Sequence, residues 1–238
     1  MYMEDMGVRY LVIEGRRWGP YRDVAAPVFS DDASVWAFSC KKDDGFYVVV
    51  NGEIFGPYGD VPWYSPAISP DGSVWIVVGK ESGSYMVVKN GERMGPFERV
   101  DPPYFAGNMW GFTYYCEGKA YVRLRDRTLG PYDEVAYGSP FFSEDGRRWA
   151  VAYAESGQWY VLVDGEIFGP YENAWTVAFS PDGEHWWSRY PYEGRWYLTL
   201  NGKKFGPFRE YYHVSGPFFE NGPVFYAYRD GKVIRIRP

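Results

Sequence analysis

Histidine and cysteine are nearly missing from this chain, with two of each in 238 residues. His185, His213, Cys40 and Cys116 are too few and too scattered to form a ligand set at the usual Cys/His spacing, so neither a metal nor a cofactor is expected. The cysteines fall two repeats apart at different offsets, so no disulfide is expected, and reduced thiols fit a cytoplasmic protein. No apolar run approaches the roughly 20 residues of a membrane helix. The opening Met1-Tyr2-Met3-Glu4-Asp5-Met6 is acidic and lacks the apolar region of a signal peptide. Basic residues are in deficit, at a net charge of -6, and the pairs Arg147-Arg148 and Lys203-Lys204 are isolated. A phosphate-tracking surface needs a basic face, so nucleic acid is not an expected partner. Also missing are a sustained helical period, a linker of biased composition, and the Gly-x-Ser-x-Gly, P-loop and GxGxxG motifs. No residue is therefore assigned as catalytic.

What the chain has in excess is aromatic residues, 21% of the total, and a repeat. Gly-Pro followed by Tyr or Phe begins at Gly19, Gly56, Gly95, Gly130, Gly169 and Gly206, a spacing of 35 to 39 residues. Such a period points to a repeat architecture, one domain over residues 1–238. Each repeat reads as four short segments. The first is apolar and runs into a turn, clearest in Ser69-Pro70-Asp71-Gly72, Ser143-Glu144-Asp145-Gly146 and Ser180-Pro181-Asp182-Gly183. The second opens with a large aromatic, in turn Trp36, Trp75, Trp110, Trp149, Trp186 and Phe225. The third carries a tyrosine (Tyr10, Tyr47, Tyr85, Tyr121, Tyr160, Tyr197) and ends in Asn-Gly or Asp-Gly, a strong hairpin signal. The fourth holds the Gly-Pro. Proline donates no hydrogen bond, which places this strand at the sheet edge.

Four antiparallel strands repeated six times predict an all-β fold, a six-bladed β-propeller. The blade resembles the WD40-like repeat of TolB-type propellers, with a Phe-Ser-Pro-Asp-Gly-x-x-aromatic core. Residues Phe179 to Trp186 match it in full, while Ile68 to Trp75 and Phe142 to Trp149 depart at one position each. The segment Phe105 to Trp110 is two residues shorter. The ring is expected to close by the N-terminal strands, residues 9–24, joining the C-terminal pair at 216–229. Residues Lys232 to Arg237 read as one third strand too many, either extending the closing blade or displacing residues 9–14.

Residues recurring at one offset are read as packing, which leaves the variable links for function. Four of these lie between blades, at 61–65, 135–139, 174–176 and 211–213, and Ser188 to Gly194 is the longest within a blade. Trp63, Tyr64, Tyr137, Trp175, Tyr211, Tyr212 and His213 then either ring a channel mouth as a binding surface or fill it as a plug. Rigid aromatics with polar tips suit a peptide, protein or carbohydrate partner. The predicted function is a non-enzymatic binding scaffold. The alternatives are a purely structural propeller, or a glycan hydrolase using acids of the variable links, Asp43, Asp44, Asp101 and Glu193.

Overall fold

The computed structural model describes residues 2–5, 7–208, 218–219, 223–229 and 232–236. Among these the chain forms 29 strands and no helix, in two compact units, Met1–Pro103 and Tyr104–Pro238. In the first unit, sheet 1 is β1 (Tyr2–Asp5), β2 (Val8–Ile13) and β3 (Arg16–Tyr21). Sheet 2 holds β4 (Asp23–Val24), β5 (Val28–Phe29), β6 (Trp36–Lys42), β7 (Gly45–Val50) and β8 (Glu53–Tyr58). Sheet 3 is β9 (Ala67–Ile68), β10 (Trp75–Glu81), β11 (Ser84–Lys89) and β12 (Glu92–Phe97), and the short β13 (Arg99–Val100) follows.

The second unit opens with sheet 4, made of β14 (Tyr104–Ala106), β15 (Met109–Cys116), β16 (Lys119–Leu124) and β17 (Arg127–Tyr132). Sheet 5 comprises β18 (Glu134–Val135), β19 (Phe141–Phe142), β20 (Trp149–Glu155), β21 (Gln158–Val163) and β22 (Glu166–Tyr171). Sheet 6 is β23 (Thr176–Phe179), β24 (Trp186–Tyr192), β25 (Arg195–Leu200) and β26 (Lys203–Phe208). Sheet 7 is β27 (Phe218–Phe219), β28 (Pro223–Arg229) and β29 (Lys232–Ile236). All described pairings are antiparallel, and successive sheets within a unit pack face to face through shared apolar clusters. One such cluster joins Leu11 and Tyr21 of sheet 1 to Trp36 and Phe38 of sheet 2. Another joins Val122 and Leu124 of sheet 4 to Trp149 and Val151 of sheet 5.

The Gly-Pro strand lies at a sheet edge, as its missing donor requires. The Gly-Pro bonds of the six fourth strands are cis, and at each one residue of the third strand faces two of the fourth, a β-bulge. Only glycine fits the first of those two positions. Its φ runs from 109° to 135°, and a Cβ there would lie 2.7–3.0 Å from a carbonyl oxygen of the third strand. The residue it faces is Tyr10, Tyr47, Tyr121, Tyr160 or Tyr197, with the ring against the glycine. In sheet 3 the third strand carries the expected Tyr85, but Met86 faces Gly95 and Tyr85 pairs with Phe97 one residue earlier. The whole series is half-buried on the sheet surface, with cations over several rings, among them Lys42 over Tyr47 at 4.4 Å.

Within each unit, the aromatic after the Gly-Pro ties one sheet to the next. Tyr58 lies on Gly79 of β10, where a Cβ would meet the ring at 2.4 Å. Tyr132 packs on Tyr153 of β20 at 4.1 Å, and Tyr171 on Tyr190 of β24 at 6.2 Å. Tyr21 reaches Cys40, and burial pushes the phenol up to about 12 and the thiol up to about 11. Cys40 is a buried free thiol in the interior of β6, and Cys116 is a free thiol at the end of β15. With its thiolate disfavoured, Cys40 serves packing.

One expectation about the loops is corrected. The segment Ser188 to Gly194 is not a long link. Residues up to Tyr192 belong to β24, and Glu193-Gly194 alone form a tight turn with φ of 47° and 69°. Tyr190 points into the core and is fully buried. At the termini, β2 lies between β1 and β3, and β28 lies between β27 and β29. Residues Lys232–Ile236 thus pair with β28 in the third-strand position.

Candidate functional site

The two ends of each sheet differ. At one end lie the turn from first to second strand and the hairpin from third to fourth, and they lock onto each other. In the first turn the serine hydroxyl donates to the aspartate two residues on, from Ser30 to Asp32 at 2.7 Å, Ser69 to Asp71 at 2.6 Å and Ser143 to Asp145 at 2.7 Å. The hairpin residue sits at positive φ and its side-chain oxygen accepts the first N–H of the second strand. The pairs are Trp36 to Asn51 and Trp75 to Asn90 at 2.8 Å, and Trp149 to Asp164 and Trp186 to Asn201 at 2.9 Å. His185 joins this end as structure, its Nδ1 2.8 Å from Asn201 Nδ2.

The aromatic links lie on the opposite edge from the Gly-Pro strand. The chain meets the next second strand directly after the Gly-Pro aromatic, as in Asp23 opposite Lys41 and Glu134 opposite Ala154. It then leaves the ladder and rejoins it lower down at Val28 or Phe141. The predicted links at 61–65 and 135–139 are therefore interruptions of the first strand, held at both ends. Two of them are β-turns closed by a backbone bond, Ser65 N–H to Pro62 C=O at 2.9 Å and Ser139 N–H to Ala136 C=O at 3.1 Å. Ser65 Oγ accepts the Val78 N–H at 2.8 Å, and Thr113 Oγ1 donates to the Ser139 carbonyl at 2.9 Å, so both turns are braced from beneath.

Trp63 and Tyr137 occupy the same position at the tips of these two turns, with 86% and 69% of their surface exposed. Trp175 follows the fully buried Ala174 directly before the uninterrupted β23 of sheet 6 and is 51% exposed. Tyr64 is half-buried. Its ring meets Trp63 edge to face at 5.7 Å and its hydroxyl donates to the Val100 carbonyl. Tyr64 is thus a support that orients Trp63. The structure pairs Trp63 with Tyr64 in the first unit and sets Tyr137 and Trp175 on equivalent edges of successive sheets in the second. Tyr211, Tyr212 and His213 lie outside the described residues.

The acids proposed for hydrolysis are engaged elsewhere. Asp43 pairs with Arg22 and Asp44 accepts the Tyr47 hydroxyl at 2.6 Å. Glu193 forms a tight turn. Asp101 was expected in a solvated link but is buried; desolvation raises its pKa, and the Arg99 guanidinium, 3.0 Å away, opposes that rise. Among the described residues no three His, Cys, Asp or Glu gather as metal ligands. The sequence reading missed one gathering, of Arg125, Arg127 and Arg147 around a groove in the second unit. The signal was present as a failure of the repeat: the hairpin reads Arg125-Asp126 where four of its counterparts read Asn-Gly or Asp-Gly.

No protein-family model and no curated protein matches the chain. Among solved structures it is similar to TolB from Acinetobacter baumannii, at 16% identity and a TM-score of 0.41, covering 76% of this chain and 53% of that one. It is also similar to the Dos1 propeller, at 12% identity, a TM-score of 0.46, and 92% and 67% of the two chains. A third is the β-propeller domain of the Trilobed protease from Pyrococcus furiosus, described as having an open velcro topology, at 12% identity, a TM-score of 0.46, and 90% and 84%. The chain spans about half the length of the TolB chain.

Proposed function

We propose that the chain is a single six-bladed β-propeller domain acting as a non-enzymatic binding scaffold, with Trp63, Tyr137 and Trp175 as its ligand contacts. The six Gly-Pro copies support the blade number. One observation carries the binding reading: Trp63 and Tyr137 stand exposed at the tips of braced turns, and Trp175 stands exposed just before β23, each on the sheet edge opposite the Gly-Pro strand. Exposed indole and phenol rings on rigid backbone lose little conformational freedom when a flat apolar face settles on them. The partner is a carbohydrate or a peptide or protein segment, both of which present such faces.

The test is the double variant Trp63→Ala/Trp175→Ala against the parent protein on an oligosaccharide array and a displayed peptide library. Binding to one of the two is expected, weakened at least about tenfold in the variant. Ligands retained equally by the variant, or none in either format, would overturn the proposal. Because these rings are exposed, unfolding free energy should change by less than about 0.5 kcal/mol, so lost binding reports the site rather than the fold.

A further inference from the structure

At the locked end of the second unit, a groove of about 470 Å³ opens between sheet 4 and sheet 5, lined by Met109, Leu124, Arg125, Asp126, Arg127, Arg147 and Trp149. Its volume is that of a small-molecule site, roughly 300–1,000 Å³. The space exists because sheet 4 departs from the repeat twice. Its first turn is only Gly107-Asn108, lacking the Ser-x-Asp-Gly bridge of its neighbours. Its hairpin carries Arg125 at φ 49°, the place where sheets 2, 3, 5 and 6 use Asn or Asp to clamp the second strand.

An arginine there is the locally costly choice. A long side chain at positive φ is disfavoured where Asn is tolerated, and a guanidinium has no acceptor with which to clamp an N–H. Arg125 thus gives up the clamp and lines the groove instead. The chemistry around it has one character. Arg127 extends over the Trp149 ring with its Cζ 5.7 Å from the centroid, which holds the guanidinium in place. Arg147 is largely exposed and shares Asp145 at 3.5 Å. Within the lining, three arginines stand against one carboxylate, Asp126, in a chain whose net charge is -6. Guanidinium groups stay charged at any working pH and grip oxyanions by paired hydrogen bonds.

We propose that this groove binds a small polyanion, a ligand carrying two or more phosphate or carboxylate groups, through Arg125, Arg127 and Arg147. The site is separate from the aromatic turns and does not depend on them. Calorimetric titration of the full chain with tripolyphosphate and, separately, with citrate tests it. Saturable binding of at least one is expected; tighter binding of tripolyphosphate assigns phosphate, and tighter binding of citrate assigns carboxylate. Arg125→Gln and Arg147→Gln should each weaken it about tenfold, whereas the charge-matched Arg195→Gln, on exposed β25 surface, should leave it unchanged. Absence of binding by both anions, or equal weakening by all three variants, would overturn the site. Thermal unfolding of each variant separates loss of the site from loss of the fold.

Discussion

Sheets 4 and 5 lie next to each other in the second unit and share an apolar cluster, yet their locked ends are built differently. Sheet 5 is closed on itself. Ser143 bonds Asp145, Asp164 clamps Trp149, and Arg148 adds a bond to Asp164 at 2.7 Å and another to the Gly183 carbonyl of sheet 6 at 2.8 Å. Sheet 4 has a shortened turn and an arginine hairpin, and it leaves a groove. A repeat satisfies its own polar groups wherever its pattern is kept, and it has side chains to spare where the pattern fails.

The largest expected effect sits where the two sheets touch. Gly146 has φ 66°, and a Cβ on it would fall 2.1 Å from the Ala106 carbonyl oxygen. Gly183 has φ 72° in the equivalent turn of sheet 6, but its nearest neighbour would be Ser143 Cβ at 3.7 Å. Gly146→Ala is expected to cost about 3 kcal/mol in denaturant unfolding, and Gly183→Ala only the backbone part, about 1 kcal/mol. Equal losses would show that the shortened turn of sheet 4 yields without cost.

Next in size is the clamp. Asp164→Ala removes an acceptor from the Trp149 N–H and the partner of Arg148, and should cost about 1–2 kcal/mol. Arg125→Ala, at the same position in sheet 4, should stay within about 0.5 kcal/mol. The reverse change sharpens the comparison further. Arg125→Asn with Asp126→Gly writes the common hairpin into sheet 4, and is expected to stabilise the chain by about 1 kcal/mol while abolishing polyanion binding. Thermal unfolding and titration on the same sample report both.

The smallest expected effect is a pH dependence. Backbone and hydroxyl hydrogen bonds lower Asp32 from 3.8 to about 2, and the Ser143 hydroxyl and the Arg147 N–H lower Asp145. A carboxyl lowered in the folded state contributes stability in full above its unfolded value. That contribution is lost as pH falls through the folded value, here between about 4 and about 2. The first turn of sheet 4 has no carboxylate and adds nothing to this slope. Asp32→Asn and Asp145→Asn should each flatten the acid limb of the stability curve, and Asn108→Ala should not.

Much of this architecture is legible before any coordinates. The period, the edge place of the Gly-Pro strand and the hairpins at Asn51, Asn90, Asp164 and Asn201 follow from local rules, in which one residue's φ or missing donor decides. The site was legible only in outline. Trp63, Tyr137 and Trp175 stand out because they escape the repeat, but the exposure of Trp63 and Tyr137 depends on where the first strand leaves its ladder. Tyr64 looked like their equal and is a brace, because its hydroxyl finds Val100 in the link that follows sheet 3. Met86 stands at the bulge of sheet 3 because Tyr85 precedes Gly95 by ten residues, where the other five tyrosines precede their glycine by nine.

The sequence by itself determined the all-β repeat, its strands and its turns, since each is specified within a few residues by periodicity, glycine and proline. Only the tertiary structure decided which aromatic rings stay in solvent, that Lys232–Ile236 takes the place beside β28, and that Arg147 joins Arg125 and Arg127. Those outcomes depend on contacts between strands and sheets distant in sequence, and no local preference encodes them.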